Sequence, residues 1–417
     1  MRSPWALFAI LCLSYCFGTI VRISSVLVLP ELAKEIGIGA ALLGFLSSLF
    51  FFAYAFTQSM WGSICGRIGP VRACSIGLFI ASFGSYIFIF ANNSFLLGLS
   101  RLFSGLGTAA LFIGTLIFAA VAFTSDRYPL LVGLTMSLGN IGTAIAVAPL
   151  GILLDTIGVT GVFLCLSSST ALLACILWFS RRYDPYEEKI GYTNKTFAFS
   201  DLFKDTRDAL FMILSERTLL LIVGTWATTT ATIITLQSLW GVIWVETASG
   251  ASVGEARGCV TWVGIGLILG AISGGFITKY AKGKSNVFIL ICFCSWISWL
   301  TWCALSFFSA DIFYFNISGF SVGLLSAFCM VFASSTIKEM VPASKTAAIV
   351  GMSNMLNFIA VIILQGVSGI IIGLFPKDAL GNYPTIGYET AFGIILLCQL
   401  LIYIKIPRGK TLMLREK

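Results

Sequence analysis

A chain of 417 residues in which 58% are hydrophobic and only 11% charged cannot cover a water-facing surface, since soluble domains carry about 25% charged residues. Its apolar residues run in stretches of roughly 20, the length that crosses a hydrocarbon core of about 30 Å. The net charge of +8 is concentrated in segments between those stretches, which argues against a nucleic-acid surface and points instead to residues that orient helices in a bilayer.

In chain order, the apolar runs predict membrane spans over 5–29, 40–60, 73–91, 95–120, 130–154 and 160–180. After a polar stretch they resume over 218–245, 258–279, 286–308, 311–337, 346–374 and 388–406. The first run stays apolar to Leu29 without a small-residue cleavage site and is expected to be a retained helix rather than a signal peptide. The predicted class is therefore all-α: a polytopic membrane protein of twelve transmembrane helices in two pseudo-symmetric six-helix bundles. The expected divisions are 1–182, a cytoplasmic linker over 183–216, and 217–417.

Placing the amino terminus in the cytoplasm puts every Lys and Arg on the cytoplasmic side except Lys34, Arg257, Lys377 and two residues inside the spans, Arg22 and Arg101. That bias predicts both termini inside, in the inner or plasma membrane. Most of the 12 cysteines lie within apolar runs, no CxxC occurs and the chain has no histidine, so neither a metal site nor a cofactor is expected. Nor does a nucleophile–base pair stand out, and an enzyme is not expected.

After the second span comes Trp61-Gly62-Ser63-Ile64-Cys65-Gly66-Arg67-Ile68-Gly69-Pro70-Val71-Arg72. This resembles the cytoplasmic signature loop of the major facilitator superfamily, G-x-x-x-D-R-x-G-R-[RK]. The resemblance implies that Gly62 lets two helices approach, that Gly69 makes the turn and that Arg67 and Arg72 hold the cytoplasmic side. The loop's Asp is replaced by Gly66, and one basic position by Pro70. Gly275-Phe276-Ile277-Thr278-Lys279-Tyr280-Ala281-Lys282 is a weaker echo in the second half, and Arg101-Leu102-Phe103-Ser104-Gly105-Leu106-Gly107 is similar to the family's R-x-x-x-G-x-G helix motif. Gly139-Asn140-Ile141-Gly142 and Pro149-Leu150-Gly151 stand where the family carries a Gly/Pro-rich segment. The family implies two bundles that alternate in access to the two sides.

Within that family, Phe17-Gly18-Thr19-Ile20-Val21-Arg22 and Pro30-Glu31-Leu32 resemble the organic-anion and sugar-phosphate porters, which commonly carry an Arg here. Leu236-Gln237-Ser238-Leu239-Trp240-Gly241 resembles the same branch. An Arg in mid-span costs about 2.5–3.5 kcal/mol on insertion scales and is expected to face protein or a wet cavity. Arg22 and Arg101 are expected at similar depth, on neighbouring helices, without an internal carboxylate to pair either. Their planar forks suit a carboxylate or phosphate.

Tyr15, Thr19 and Arg22 fall on one stripe at i, i+4, i+7, and Gln237, Trp240, Asn354 and Asn357 are further candidates for a substrate cavity. Arg101 has a competing reading as a hydrogen-bond donor to the first helix, and the Asn pair as interhelical links. The expected partners are a small organic anion such as a mono- or dicarboxylate, a co- or counter-transported ion and the bilayer, for a chain acting as a monomer. A drug exporter, or a non-transporting sensor on the same fold, is the alternative.

Overall fold

Lipid offers no partner to a backbone N–H or C=O, so a long apolar segment satisfies these groups only by coiling on itself. The computed structural model describes residues 4–124, 128–146, 148–185, 199–280, 285–341, 343–378 and 381–407, and no strand occurs among them. The helices are α1 (Pro4–Ile36), α2 (Ala40–Ile68), α3 (Pro70–Ile89), α4 (Ser94–Ala122), α5 (Tyr128–Ile145) and α6 (Ala148–Ser180). The series continues with α7 (Phe199–Ser215) and α8, which runs from Arg217–Thr235 through a π turn, Leu236–Trp240, into Gly241–Ser249. It ends with α9 (Val253–Tyr280), α10 (Ser285–Phe307), α11 (Ile312–Met340), α12 (Ala343–Gly373) and α13 (Thr385–Lys405).

Among the described residues, eleven segments are long and apolar enough to cross a membrane, and α5, with 18 residues, is a further apolar helix between two of them. The chain divides into two compact units, Met1–Phe197 and Ala198–Lys417.

Three features depart from the apolar pattern. α1 does not stop near Leu29 but continues through Pro30 to Ile36. The expected fifth span, 130–154, is split: α5 ends at Ile145 and a new helix begins at Ala148, with Pro149 in its first turn, where a missing N–H costs nothing. α6 then kinks at Gly158, whose φ of 70° only glycine adopts without strain. Finally, the second half of the stretch expected to be a linker is helix α7. It is amphipathic: Ala209 and Ile213 pack into a core with Leu219, Ile222, Val223 and Phe288, while Phe211 and Leu214 stay exposed. Residues 186–198 of that stretch lie outside the described residues.

In the first unit, α1, α3, α4 and α6 share a core of Leu7, Leu11, Val71, Leu78, Leu111, Phe118 and Leu177. Since lipid is as apolar as leucine, helices here associate through close packing and hydrogen bonds rather than by escape from water. Ser75 and Ser82 of α3 donate to the Ala174 and Ser167 carbonyls of α6, each at 2.7 Å. Gly105 of α4 lies directly against α2, where a Cβ would collide with the Phe50 carbonyl.

Gly105→Ala is expected to destabilise the purified protein by about 1–3 kcal/mol, because backbone rather than a flexible side chain stands in the way. Gly393→Ala in α13, with nothing within 4 Å of the added Cβ, should be neutral or stabilising by up to about 1 kcal/mol. Thermal unfolding of the two variants in detergent checks this, and equal shifts would contradict the close α2–α4 approach.

Candidate functional site

The first unit sets Tyr15 and Arg22 on one face of α1, since seven residues at 100° each bring a helix back to within about 20°. Both are partly exposed, whereas Cys16 and the residues from Gly18 to Val21 between them are buried. Thr19, expected on the same stripe, is turned into the α1–α5 contact. Its hydroxyl is shared between the Cys16 carbonyl of its own helix at 2.7 Å and the Gly139 carbonyl of α5 at 2.9 Å. A Cβ on Gly142 would collide with that hydroxyl, so the Gly139–Gly142 pair is what lets α5 close on α1.

Arg101 is 1% exposed. Its Nη1 donates to the Arg22 carbonyl at 3.3 Å and to the Ser25 hydroxyl of α1, and its Nη2 donates to the Ser47 carbonyl of α2 at 3.2 Å. The guanidinium also lies over the Phe50 ring, 4.8 Å from its centroid. One side chain of α4 therefore ties three helices together, the structural reading that competed with substrate contact. Thr108 and Thr115, which follow Arg101 at seven-residue steps, donate to carbonyls one turn back in α4.

Arg22 is placed differently. Its Nη2 donates to Thr143 of α5 at 3.3 Å, and its Nε–H has no partner. No Asp or Glu among the described residues forms an ion pair with it. Tyr15 on α1 and Tyr54 on α2 lie within electrostatic range of its charge. Tyr15 rests edge-on against Gly139, with Phe112 of α4 beside it at 5.3 Å between ring centroids.

Tyr54, Thr143 and Phe112 were not singled out from the sequence. Tyr54 was visible as a hydroxyl-bearing residue amid Phe50-Phe51-Phe52-Ala53-Tyr54-Ala55-Phe56, whereas nothing local distinguishes Thr143 or Phe112 from packing residues.

In the second unit, α8 is the polar hub. Gln365 and Ser368 of α12 meet Ser238 and Trp240 of α8 at 2.8 and 2.9 Å. Trp240 is 1% exposed and its ring edge meets Tyr388, so it is a core side chain with its N–H satisfied. Gln237 is buried with its Nε2 unpartnered, and Asn357 is buried with its Oδ1 unpartnered. The 238–365 and 240–368 pairings make α8 and α12 parallel. Asn357, eight residues before Gln365, therefore lies about 12 Å along the helix from the level of Gln237, and the two orphaned groups do not meet. Asn354 is partly exposed.

One carboxylate escaped the sequence reading of the spans. Glu389, just over one turn into α13, accepts from Ser306 at 2.7 Å, and Ser306 in turn accepts from the Trp244 indole at 2.7 Å. It belongs to the second unit, whereas both arginines belong to the first. Among the described residues no group of three or more Cys, Asp or Glu converges as a metal site.

At the signature loop, Gly69 makes the α2–α3 turn at φ 84°, with its N–H closing α2 on the Cys65 carbonyl at 3.0 Å. Gly62 is not needed for close approach, since an added Cβ would meet only Ile113 at an ordinary 3.8 Å. Trp61 links α2 to α4 instead, donating to the Leu106 carbonyl at 2.8 Å. Arg67 is exposed and Arg72 partly so. Beside Gly66, where the family carries Asp, Asp184 just past α6 accepts from the Val71 N–H at 3.1 Å and places a negative charge at the N-terminus of α3. Much of the weaker echo at Gly275–Lys282 lies outside the described side chains.

The two arginines should respond differently to truncation. Arg101→Ala orphans two buried carbonyl contacts and is expected to cost about 2–5 kcal/mol, whereas Arg22→Ala should change stability by less than about 1 kcal/mol. Thermal unfolding in detergent measures both, and equal losses would argue against the division of roles.

Comparison with known proteins places the fold. The structure superposes on a bacterial homolog of the human lysosomal transporter Spinster in its inward-facing, unoccupied conformation with a TM-score of 0.73. That alignment is 14% identical and covers 96% of this chain and 95% of the other. The nucleoside transporter NupG gives a TM-score of 0.73 at 15% identity, covering 96% of this chain and 98% of NupG. A D-xylose–proton symporter gives 0.71 at 12% identity, covering 97% of each chain. By sequence, the chain is similar to the riboflavin transporter RibZ of Clostridioides difficile (strain 630), 24% identical over 168 residues. That match spans 39% of this chain and 36% of the relative, so the chain covers about a third of the curated relative it matches. The family model for the Major Facilitator Superfamily matches residues 7–365, and the chain belongs to that superfamily.

Proposed function

We propose that the chain is a secondary transporter that moves a small organic anion across a membrane by alternating access, with Arg22 as the contact for the negative charge. The observation that carries this reading is the Arg22 guanidinium itself. It sits within an apolar span, partly exposed, with one hydrogen bond to Thr143 and, among the described residues, no partner for its buried Nε–H and no carboxylate paired with it. An uncompensated charge at that depth is costly, and a bound anion offsets the cost while using the donors left over.

Arg101 supports the site from behind. Its bonds to the Arg22 carbonyl and to Ser25 fix the turn of α1 that presents Arg22, and its positive charge adds to the local field. Tyr15 and Tyr54 lie within electrostatic range of the guanidinium. The remaining parts of the reading are a cell inner or plasma membrane location, both termini in the cytoplasm, a monomer as the working unit, and flux linked to a co- or counter-transported ion. A second reading, transport of a larger heteroaromatic solute, is favoured by the partial similarity to a riboflavin transporter.

Protein reconstituted into liposomes and offered labelled mono- and dicarboxylates, with riboflavin in a parallel arm, tests the two readings together. Saturable carboxylate uptake that Arg22→Ala lowers at least tenfold, with partial recovery in Arg22→Lys, is the expected result. Undiminished uptake by Arg22→Ala would remove Arg22 from the site, and uptake confined to riboflavin would favour the second reading.

A further inference from the structure

The surroundings of Arg22 restrict what kind of anion fits, which deepens the anion reading and rests on it. Of the two guanidiniums at this level of the first unit, only Arg22 has surface to offer. Arg101 is enclosed, its Nη atoms committed to the Arg22 carbonyl, Ser25 and the Ser47 carbonyl, and its face to Phe50. A ligand feels the field of Arg101 but cannot touch it. One carboxylate can therefore be met by a guanidinium, while a second on the same ligand, stripped of water, would find no second open guanidinium at this level of the first unit, a heavy cost for an ion.

The rest of the face is aromatic. Tyr15 stands two turns from Arg22 on the same side of α1, about 10 Å along the axis, which is a span that one or two fused rings attached to a carboxylate fill. Its ring is held in place: the edge presses on Gly139, where a Cβ would leave no room, and Phe112 leans against it at 5.3 Å and 40°. Phe112 is itself partly exposed. Tyr54, stacked on Phe50 at 6.1 Å, brings a third ring within electrostatic range of Tyr15 and Arg22. Rings fixed in this way favour a flat π-face or edge over an aliphatic body of the same bulk.

We infer that the anion received by Arg22 is a planar aromatic monoanion, its carboxylate on the guanidinium and its ring against Tyr15 and Phe112. Charge fixes one end of the ligand and ring shape the other, so the pair would discriminate between solutes of equal charge.

The test is ligand-induced thermal stabilisation of the purified full-length protein by four probes: benzoate, cyclohexanecarboxylate, terephthalate and uncharged benzamide. Benzoate is expected to bind roughly 2- to 12-fold more tightly than cyclohexanecarboxylate, the range that an aromatic pair contributes beyond area burial. Terephthalate should bind more weakly than benzoate, and benzamide should give no stabilisation. Tyr15→Leu should bring benzoate and cyclohexanecarboxylate to within about twofold, while Tyr15→Phe keeps the wild-type preference.

Equal binding of benzoate and cyclohexanecarboxylate, with both lost in Arg22→Gln, would overturn the aromatic inference and leave the anion reading standing. Tighter binding of terephthalate would overturn the monoanion part, and an unchanged preference in Tyr15→Leu would overturn the ring placement. Stabilisation by no carboxylate, or stabilisation indifferent to Arg22→Gln, would instead remove the anion reading on which this rests.

Discussion

The first unit is organised around the enclosure of one positive charge. A guanidinium surrounded by hydrocarbon has no water to fall back on, so Arg101 must find its partners among neighbouring helices, and it finds them on α1 and α2 at once. Those bonds demand that three backbones come close, and Gly105, one turn along α4, removes the side chain that would hold α2 away. The motif Arg101-x-x-x-Gly105-x-Gly107 is thus a joint in which the arginine supplies donors and the small residues supply proximity. Its consequence for function is indirect: by fixing the Arg22 turn of α1, it leaves Arg22 as the guanidinium with donors to spare.

In the second unit, α8 makes its interhelical bonds with neutral groups. α8 reaches α12 through Ser238–Gln365 and Trp240–Ser368, α13 through Thr232–Gln399, and α10 through Trp244–Ser306. Three of these contacts come from the π turn or the residues just beyond it, where the ladder shifts from one register to the next and re-aims the side chains. Hydrogen bonds between neutral side chains in lipid are individually modest, so the unit is held by their number and by ring packing around Trp244, Trp302, Tyr388 and Phe392. The first unit carries Arg22 and Arg101 in its spans, and the second carries amides, hydroxyls, a glutamate and the buried Arg257 near the start of α9.

At the signature loop a helix end finds its negative partner outside the loop. With Gly66 where a carboxylate is expected, the N-terminus of α3 still has its negative partner, because the turn after α6 brings Asp184 to the Val71 N–H. The helix end sets the requirement, as its free N–H groups and dipole favour an anion regardless of which segment delivers it.

Composition and the length of the apolar runs settled the class of this protein, because a run of about 20 apolar residues satisfies its own backbone in lipid only as a helix. Ordered motifs pointed to the family, and Gly69 and Arg101 could be located from them. What a single strand of letters could not show was which side chains are consumed by packing. Thr19 by spacing and Trp240 by its place in a motif read as cavity residues, yet each is turned into a helix–helix bond, while Thr143 bonds Arg22 and Phe112 packs on Tyr15 with no local signal.

The break between α5 and α6, the docking of α7 and the Asp184–Val71 bond were hidden for a related reason. Each depends on contact between segments far apart in sequence. The arginines came from the sequence alone; their division into one that binds helices and one left open was decided in three dimensions, because a buried donor takes whichever acceptor the neighbouring backbone brings within reach.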